Sequence, residues 1–136
     1  MDGKNRRRDT QMYIIDFRHS LNLLDIRWTG TFTDEIIADY ARLLKRQFRE
    51  EGFRPGYLLR MDMTHSAVQT QDAVASFGRH LGDFPKARRI AIVTPSRIAH
   101  MQVRRVMTQP YLQIFATPEP ALDWLLAPTD SPLAMA

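Results

Sequence analysis

Apolar residues occupy alternate positions in two short stretches near the start of the chain. They are Tyr13, Ile15 and Phe17 within 12–18, and Leu24, Ile26 and Trp28 within 22–29. Charged residues such as Asp16 and Arg27 lie between them. A period of two is typical of strands that have one wet face. The pattern therefore predicts two strands, and the polar segment 19–22 between them predicts a hairpin connection.

The period then changes to that of a helix. Apolar side chains recur at helical spacing: Ile36, Ile37, Tyr40, Leu43, Leu44 and Phe48. Thr33 precedes the acids Asp34 and Glu35, which suits an N-cap followed by the positive end of a helix dipole. Gly52 suits the position just after a helix. A helix is predicted over 34–51.

Strands and helices alternate along the rest of the chain. Apolar runs predict three more strands: 57–63, 90–93 and 111–115. Helical spacing, proline and glycine predict a helix that ends at Gly82, one from Pro95 to about Gln109, and one that begins after Thr117. The order ββαβαβαβα predicts a single α/β domain. Its sheet is expected to be mixed and mostly parallel, with an antiparallel N-terminal edge hairpin and helices mainly on one face.

Length and composition narrow the class of protein. A chain of 136 residues suits one domain, and the absence of Cys excludes disulfides, thiolate metal sites and a Cys nucleophile. No apolar run approaches the length of a transmembrane helix. We expect a cytoplasmic domain over 12–126, a flexible basic N-terminal tail at 1–11 and a C-terminal tail at 127–136.

Charge is distributed unevenly. No Asp or Glu lies between Asp83 and Glu119, an interval that holds six Lys and Arg residues. Such an interval suits an acidic partner, a phosphate or an anionic membrane surface, or it is an ordinary solvated face, the interpretation that we favour. Nucleic acid is disfavoured, because no aromatic residue between Phe84 and Tyr111 is available to stack on bases.

Three motifs, taken in order, resemble those of one family. The second strand ends in Trp28-Thr29-Gly30 and precedes a helix that opens with Thr33-Asp34. The strand 58–62 ends in Asp62 before a polar loop, and 114–125 reads as a strand, a turn and an Ala-Leu-x-Trp-Leu helix. Over about 12–126 the chain resembles the STAS-like fold, in the SpoIIAA-like branch of uncharacterised bacterial proteins. That branch is grouped with the CRAL-TRIO lipid carriers.

The resemblance implies two different functions. Anti-sigma factor antagonists of this fold are phosphorylated in an Asp-Ser-Ser-Gly-like motif after the third strand, and the phosphate alters a protein-binding surface. The matching region 70–73 lacks that motif and offers Thr70, which is also an ordinary helix N-cap. The grouping with lipid carriers implies instead an apolar ligand between the helices and the sheet.

Two groups of polar residues are candidate binding sites. Asp62, Thr64, His65 and Ser66 follow the third strand, and Ser96 and Arg97 follow the fourth, where a helix N-terminus suits a phosphate or carboxylate. Both groups also suit ordinary turns and caps, and for the first we favour that interpretation. No catalytic residue, metal site or cofactor is predicted. The methionines Met61, Met63, Met101 and Met107 suit either an adaptable pocket or plain core.

These observations predict that the protein is a non-catalytic regulatory or interaction module that binds a protein partner through 62–72. Its edge hairpin suits pairing in a homodimer. The alternative is a carrier or sensor of a small apolar, lipid-like or amphipathic anion, whose head would lie near Ser96 and Arg97. A hydrolase-type enzyme ranks last. A pocket of roughly a few hundred cubic ångströms lined by Met and Phe would favour the carrier.

Overall fold

The structure is a computed structural model that describes residues 13–30, 33–66, 71–106 and 110–128. The predicted tail 1–11 and most of the predicted tail 127–136 lie outside these ranges. Thr70 and Met107 also lie outside them.

The described residues form one sheet. Its strands are β1 Tyr13–Arg18, β2 Leu23–Gly30, β3 Leu58–Ser66, β4 Arg89–Val93 and β5 Leu112–Phe115. They lie side by side in the order of the sequence. β1 pairs antiparallel with β2, and the other three pairs are parallel. The predicted order of elements and the mixed sheet with its antiparallel edge are confirmed.

The helices divide unequally between the two faces of this sheet. They are α1 Asp34–Glu50, α2 Gln71–Leu81, α3 Arg97–Val106 and α4 Pro118–Leu126. Apolar residues of α1, α2 and α3 meet the sheet in the larger core. Ala121 and Leu125 of α4 pack in a smaller core on the opposite face, against Leu58 and Val93. Most of the helical surface therefore covers one face, as expected for a STAS-like domain.

Local signals fix the helix ends. The Thr33 hydroxyl accepts a hydrogen bond from the Ile36 amide at 3.1 Å, as expected for an N-cap. Gly52 follows α1 with φ of 74°, a conformation that side chains disfavour. Thr117 occupies the N-cap position of α4, but its side chain makes no capping bond. Pro118 at the first position of α4 has no amide hydrogen to satisfy.

β3 is longer than the sequence predicts. The strand continues through Thr64 and His65 to Ser66, three residues that were expected to begin a loop. The reason is long-range pairing: after an irregularity in register, Thr29 of β2 pairs with His65 and Gly30 pairs with Ser66. Polar side chains do not end a strand whose backbone hydrogen bonds are provided by a neighbour.

Candidate functional site

A cavity of about 360 Å³ lies between the sheet and the helices of the larger core. The strands contribute aliphatic residues and methionines to its wall: Leu24, Ile26, Leu59, Met61, Met63, Ile90 and Ile92. The helices and the loop after α2 contribute aromatic and aliphatic residues: Tyr40, Leu44, Phe77, Leu81, Phe84 and Val103. The wall is therefore almost wholly apolar, and two of the four methionines singled out in the sequence line it.

The cavity opens where the chain passes from α2 to β4. Gly78, Gly82 and Lys86 line the cavity and are exposed to solvent, so they mark its mouth. Tyr111, just before β5, lies on the same wall. Lys86 precedes β4, so the mouth lies at the edge where the parallel strands begin. Among the described residues that line the cavity, Lys86 carries the only charged side chain.

Two buried tyrosines place hydroxyl groups in the wall. The Tyr57 hydroxyl donates a hydrogen bond to the carbonyl of Pro85 at 2.8 Å, which ties the mouth loop to the start of β3. Burial raises the pKa of Tyr57 well above its usual value. Tyr40 is fully buried, and burial raises the pKa of its hydroxyl well above its usual value. Both hydroxyls are therefore neutral at any physiological pH, and they leave the wall without a negative charge.

Gly78 and Gly82 shape the mouth in different ways. A Cβ atom added to Gly78 would have no atom within 4 Å, so open space adjoins this part of α2. A Cβ atom added to Gly82 would lie 2.7 Å from the carbonyl oxygen of Gly78. The backbone at Gly82 therefore passes too close to α2 for a side chain. The sequence predicts that Gly82 ends a helix or allows close packing, and the structure shows the close approach.

The structure brings part of the first predicted site together. Asp62 accepts hydrogen bonds from the amide of Thr64 at 2.9 Å and from the Thr64 hydroxyl. The side chain of His65 is exposed and forms neither a hydrogen bond nor an ion pair with another described residue. The Ser66 hydroxyl is buried, without a hydrogen-bond partner in the described part of the chain. The geometry is a local Asp–Thr turn, and it does not join Asp62, His65 and Ser66 in a hydrogen-bonded triad.

The second predicted site has a local role and lies away from the cavity. The Ser96 hydroxyl accepts a hydrogen bond from the amide of Ala99 at 3.1 Å, as an N-cap of α3. Arg97 is exposed. Both residues follow β4, at the edge where the parallel strands end, and neither lines the cavity. A ligand head group in the cavity mouth would meet Lys86 instead.

Sequence reasoning missed the residues at the mouth. Lys86, Gly78 and Tyr111 carry no motif, and only the four-residue spacing of Gly78 and Gly82 hints at close packing near a helix end. One of the four methionines that were expected to line a pocket or to lie in the core does neither. Met101 lies on the outer surface of α3 and is 61% exposed.

The described residues offer neither a metal site nor a membrane-spanning helix. In residues 13–30, 33–66, 71–106 and 110–128, no group of three His, Asp or Glu side chains is placed to hold a metal ion. Within the same ranges, none of the helices combines the length and the apolar character needed to cross a bilayer.

The fold has relatives among known proteins. The sequence model of the SpoIIAA-like family matches residues 23–126. No curated protein matches the chain. Among solved structures, an uncharacterised protein of the DUF3478 family from Shewanella loihica PV-4, described as having a SpoIIAA-like fold, is similar with a TM-score of 0.62. The two sequences are 21% identical over 83% of this chain and 93% of that chain, so the similarity shows the fold alone.

Proposed function

This chain belongs to the SpoIIAA-like family, and we propose that it is a non-catalytic protein that binds a small amphipathic anion. The apolar body of the ligand occupies the cavity between the sheet and helices α1 to α3. Its anionic head lies at the mouth, beside Lys86. The observation that carries the proposal is the apolar cavity of about 360 Å³ in a domain of this size.

The volume suits a small ligand. Ligand pockets span about 300–1,000 Å³ and are mostly apolar, with a few polar groups that orient the ligand. A cavity of about 360 Å³ holds roughly a dozen water-sized groups at about 30 Å³ each. A medium-length acyl chain or a compound of one or two rings fits this space. Met61 and Met63 add flexible, polarisable side chains, which adapt to ligands of irregular shape.

The charge at the mouth selects the head group. Lys86 is exposed, and the tyrosine hydroxyls of the wall stay neutral. Among the described residues, none that lines the cavity carries a negative charge that would repel a carboxylate, sulfonate or phosphate at the entrance. An anionic head keeps its hydration on the solvent side while it approaches the ammonium group. The regulatory module that acts through 62–72 stays a prediction, since Thr70 lies outside the described residues.

The affinity of the chain for dodecanoate, measured by isothermal titration calorimetry, tests the proposal. Apolar molecules that co-purify with the chain are removed first. Ala87 is buried in the cavity wall, so Ala87→Phe places a ring in the binding space. We expect this change to weaken dodecanoate binding by about tenfold or more, because the ring displaces ligand volume. Ala75→Phe is the control, since Ala75 is exposed on α2 and lies outside the cavity.

Lys86→Glu tests the head group separately. Charge reversal at the mouth is expected to weaken dodecanoate binding roughly fivefold. The matched control is Arg88→Glu, two residues along, where the side chain is exposed and does not line the cavity. A chain that binds dodecanoate no better than a protein without a cavity would contradict the proposal. If Ala87→Phe does not fold, Met61→Trp fills the same space from β3.

A further inference from the structure

The outward face of α3 combines apolar and basic side chains. Its exposed residues are Arg97, Ile98, Met101, Arg104 and Arg105. Ala99 and Val103 on the same helix are buried and fix which side faces the core. With 3.6 residues per turn, Met101 then lies at the centre of the outward face, with the arginines and Ile98 around it. Ile98 is 59% exposed and Met101 is 61% exposed.

No carboxylate among the described residues neutralises the arginines of this face. Arg97, Arg104 and Arg105 form no ion pair with any carboxylate in the described part of the chain. On α1, by contrast, the exposed Arg42 and Arg46 pair with Asp39 and Glu50. The α3 face is therefore a local excess of positive charge, and two large apolar side chains project from it.

We propose that this face of α3 docks on an anionic lipid bilayer. The arginines contact lipid phosphates, for which a planar guanidinium with several donors is well suited. Met101 and Ile98 insert between the head groups and reach the upper part of the acyl region. Docking removes apolar surface of this face from water and provides the arginines with a counter-charge that the described residues do not supply.

A bilayer fits the face better than a protein groove does. A partner that grips a helix uses a row of apolar anchors at i, i+3 or i+4, and i+7. Starting from Ile98, α3 offers Met101 at i+3, but the position at i+7 is Arg105. Shallow insertion of two side chains with arginines among them matches the interface of a membrane.

Cosedimentation with vesicles tests the proposal on the full chain. Vesicles of equal parts phosphatidylglycerol and phosphatidylcholine should bind the chain at about 50 mM salt, and vesicles of phosphatidylcholine alone should not. Arg104→Ala with Arg105→Ala should weaken binding to the anionic vesicles about 25-fold, at roughly fivefold for each charge. Ile98→Ser with Met101→Ser should also weaken binding, although the net charge is unchanged.

Two controls separate docking by α3 from attraction to net charge. Arg42→Ala with Arg46→Ala removes the same number of exposed arginines from α1 and should alter binding less than threefold. Ala replacement of Arg6, Arg7 and Arg8 tests the basic tail and should leave most of the binding intact. Circular dichroism on each variant checks that the chain remains folded.

Several outcomes overturn the proposal. One is equal loss of binding in the α1 and α3 arginine variants. Another is full loss in the tail variant, and a third is unchanged binding when Ile98 and Met101 are replaced. Absence of binding to the anionic vesicles overturns it as well and leaves an acidic protein surface as the occupant of this face. Vesicle binding and dodecanoate binding are measured in separate experiments. Failure of the bilayer proposal can therefore be distinguished from failure of the cavity proposal.

Discussion

Gly78 and Gly82 lie one helical turn apart, but only Gly78 has space for a side chain. Gly78 lies within α2 beside open space, and Gly82 lies just after α2 against the carbonyl of Gly78. Gly78→Ala should raise the free energy of unfolding by about 0.5–1 kcal/mol, because alanine loses less backbone entropy in a helix. Gly82→Ala should lower it by about 1 kcal/mol or more, because the added methyl group forces the backbone to move. Urea unfolding monitored by circular dichroism measures both changes.

Each glycine variant serves as the control for the other, since both add one methyl group to the same segment. Two changes of the same sign would mean that the space around α2 differs from the structure. The pair also bears on the cavity. Gly78→Ala should leave dodecanoate binding nearly unchanged, because a single methyl group removes little of the volume at the mouth.

At the level of elements, one carboxylate joins the start of α1 to the end of α2. Asp34 accepts hydrogen bonds from the Ser76 hydroxyl, from Arg79 at 2.9 Å and from His80 at 3.3 Å. The Ser76 bond, followed by the Arg79 bond, lowers the pKa of Asp34 to about 2. A carboxylate whose pKa is lower in the folded state stabilises the fold above its unfolded pKa near 4. That stabilisation is lost as the pH falls through the folded pKa.

Asp34→Asn should therefore lower stability at neutral pH, and its difference from the natural sequence should shrink as the pH falls from about 4 to about 2. Thermal unfolding at a series of pH values measures the difference. Glu35→Gln is the matched control, because Glu35 is an exposed acid in the same first turn. A difference that is constant with pH, or one that Glu35→Gln reproduces, would refute the role assigned to Asp34.

At the scale of the whole molecule, one arginine links two strands to the helix that covers them. Arg60 of β3 bonds both carboxylate oxygens of Asp25 on β2, at 3.0 and 2.7 Å, and the carbonyl of Pro118 on α4 at 3.1 Å. The side chains of Arg60 and Asp25 are only 13% and 19% exposed. Hydrogen bonding to Asp25 raises the pKa of Arg60. The charges are paired and partly screened from water.

Arg60→Ala should lower the free energy of unfolding by about 2–3 kcal/mol, because Asp25 is left partly buried without its main partner. The double change Asp25→Ala with Arg60→Ala should cost less than the sum of the two single changes. Urea unfolding supplies the three values, and Arg27→Ala, an exposed arginine on β2, is the control. Additive effects would indicate that the pair contributes no coupling.

Features of the fold that depend on neighbouring residues were predicted more accurately than features that depend on residues distant in sequence. The helix predicted over 34–51 agrees with α1 to within one residue. Its signals are local: Thr33 caps the start, apolar residues recur at helical spacing, and Gly52 follows the end. The end of β3 was predicted three residues too early, because pairing of His65 and Ser66 with β2 depends on residues about 36 positions away. Local signals identified every strand and α-helix that the structure describes, but the end of β3 depends on its pairing with β2.

The candidate site was less predictable than the fold. Methionine composition pointed towards Met61 and Met63, which line the cavity, but equally towards Met101, which faces solvent. Lys86 and Gly78 have no local signature, and their place at the mouth depends on how α2 and its loop lie over the sheet. Ser96 and Arg97 were predicted as an anion site because they lie at a helix start. In the structure, the Ser96 hydroxyl caps α3 by accepting a hydrogen bond from the amide of Ala99.

The sequence by itself determined the order of the strands and α-helices, the starts of α1 and α4, and the resemblance to the SpoIIAA-like family. Periodicity, capping and turn residues are encoded within a few positions of one another, so they can be read along the chain. Only the tertiary structure decided that the larger core contains a cavity, that Lys86 lies at its mouth, and that Arg60 and Asp34 join distant elements. A cavity is the volume left after side chains from several elements have packed, and a long-range pair depends on register across the sheet. Neither quantity is a property of any one segment.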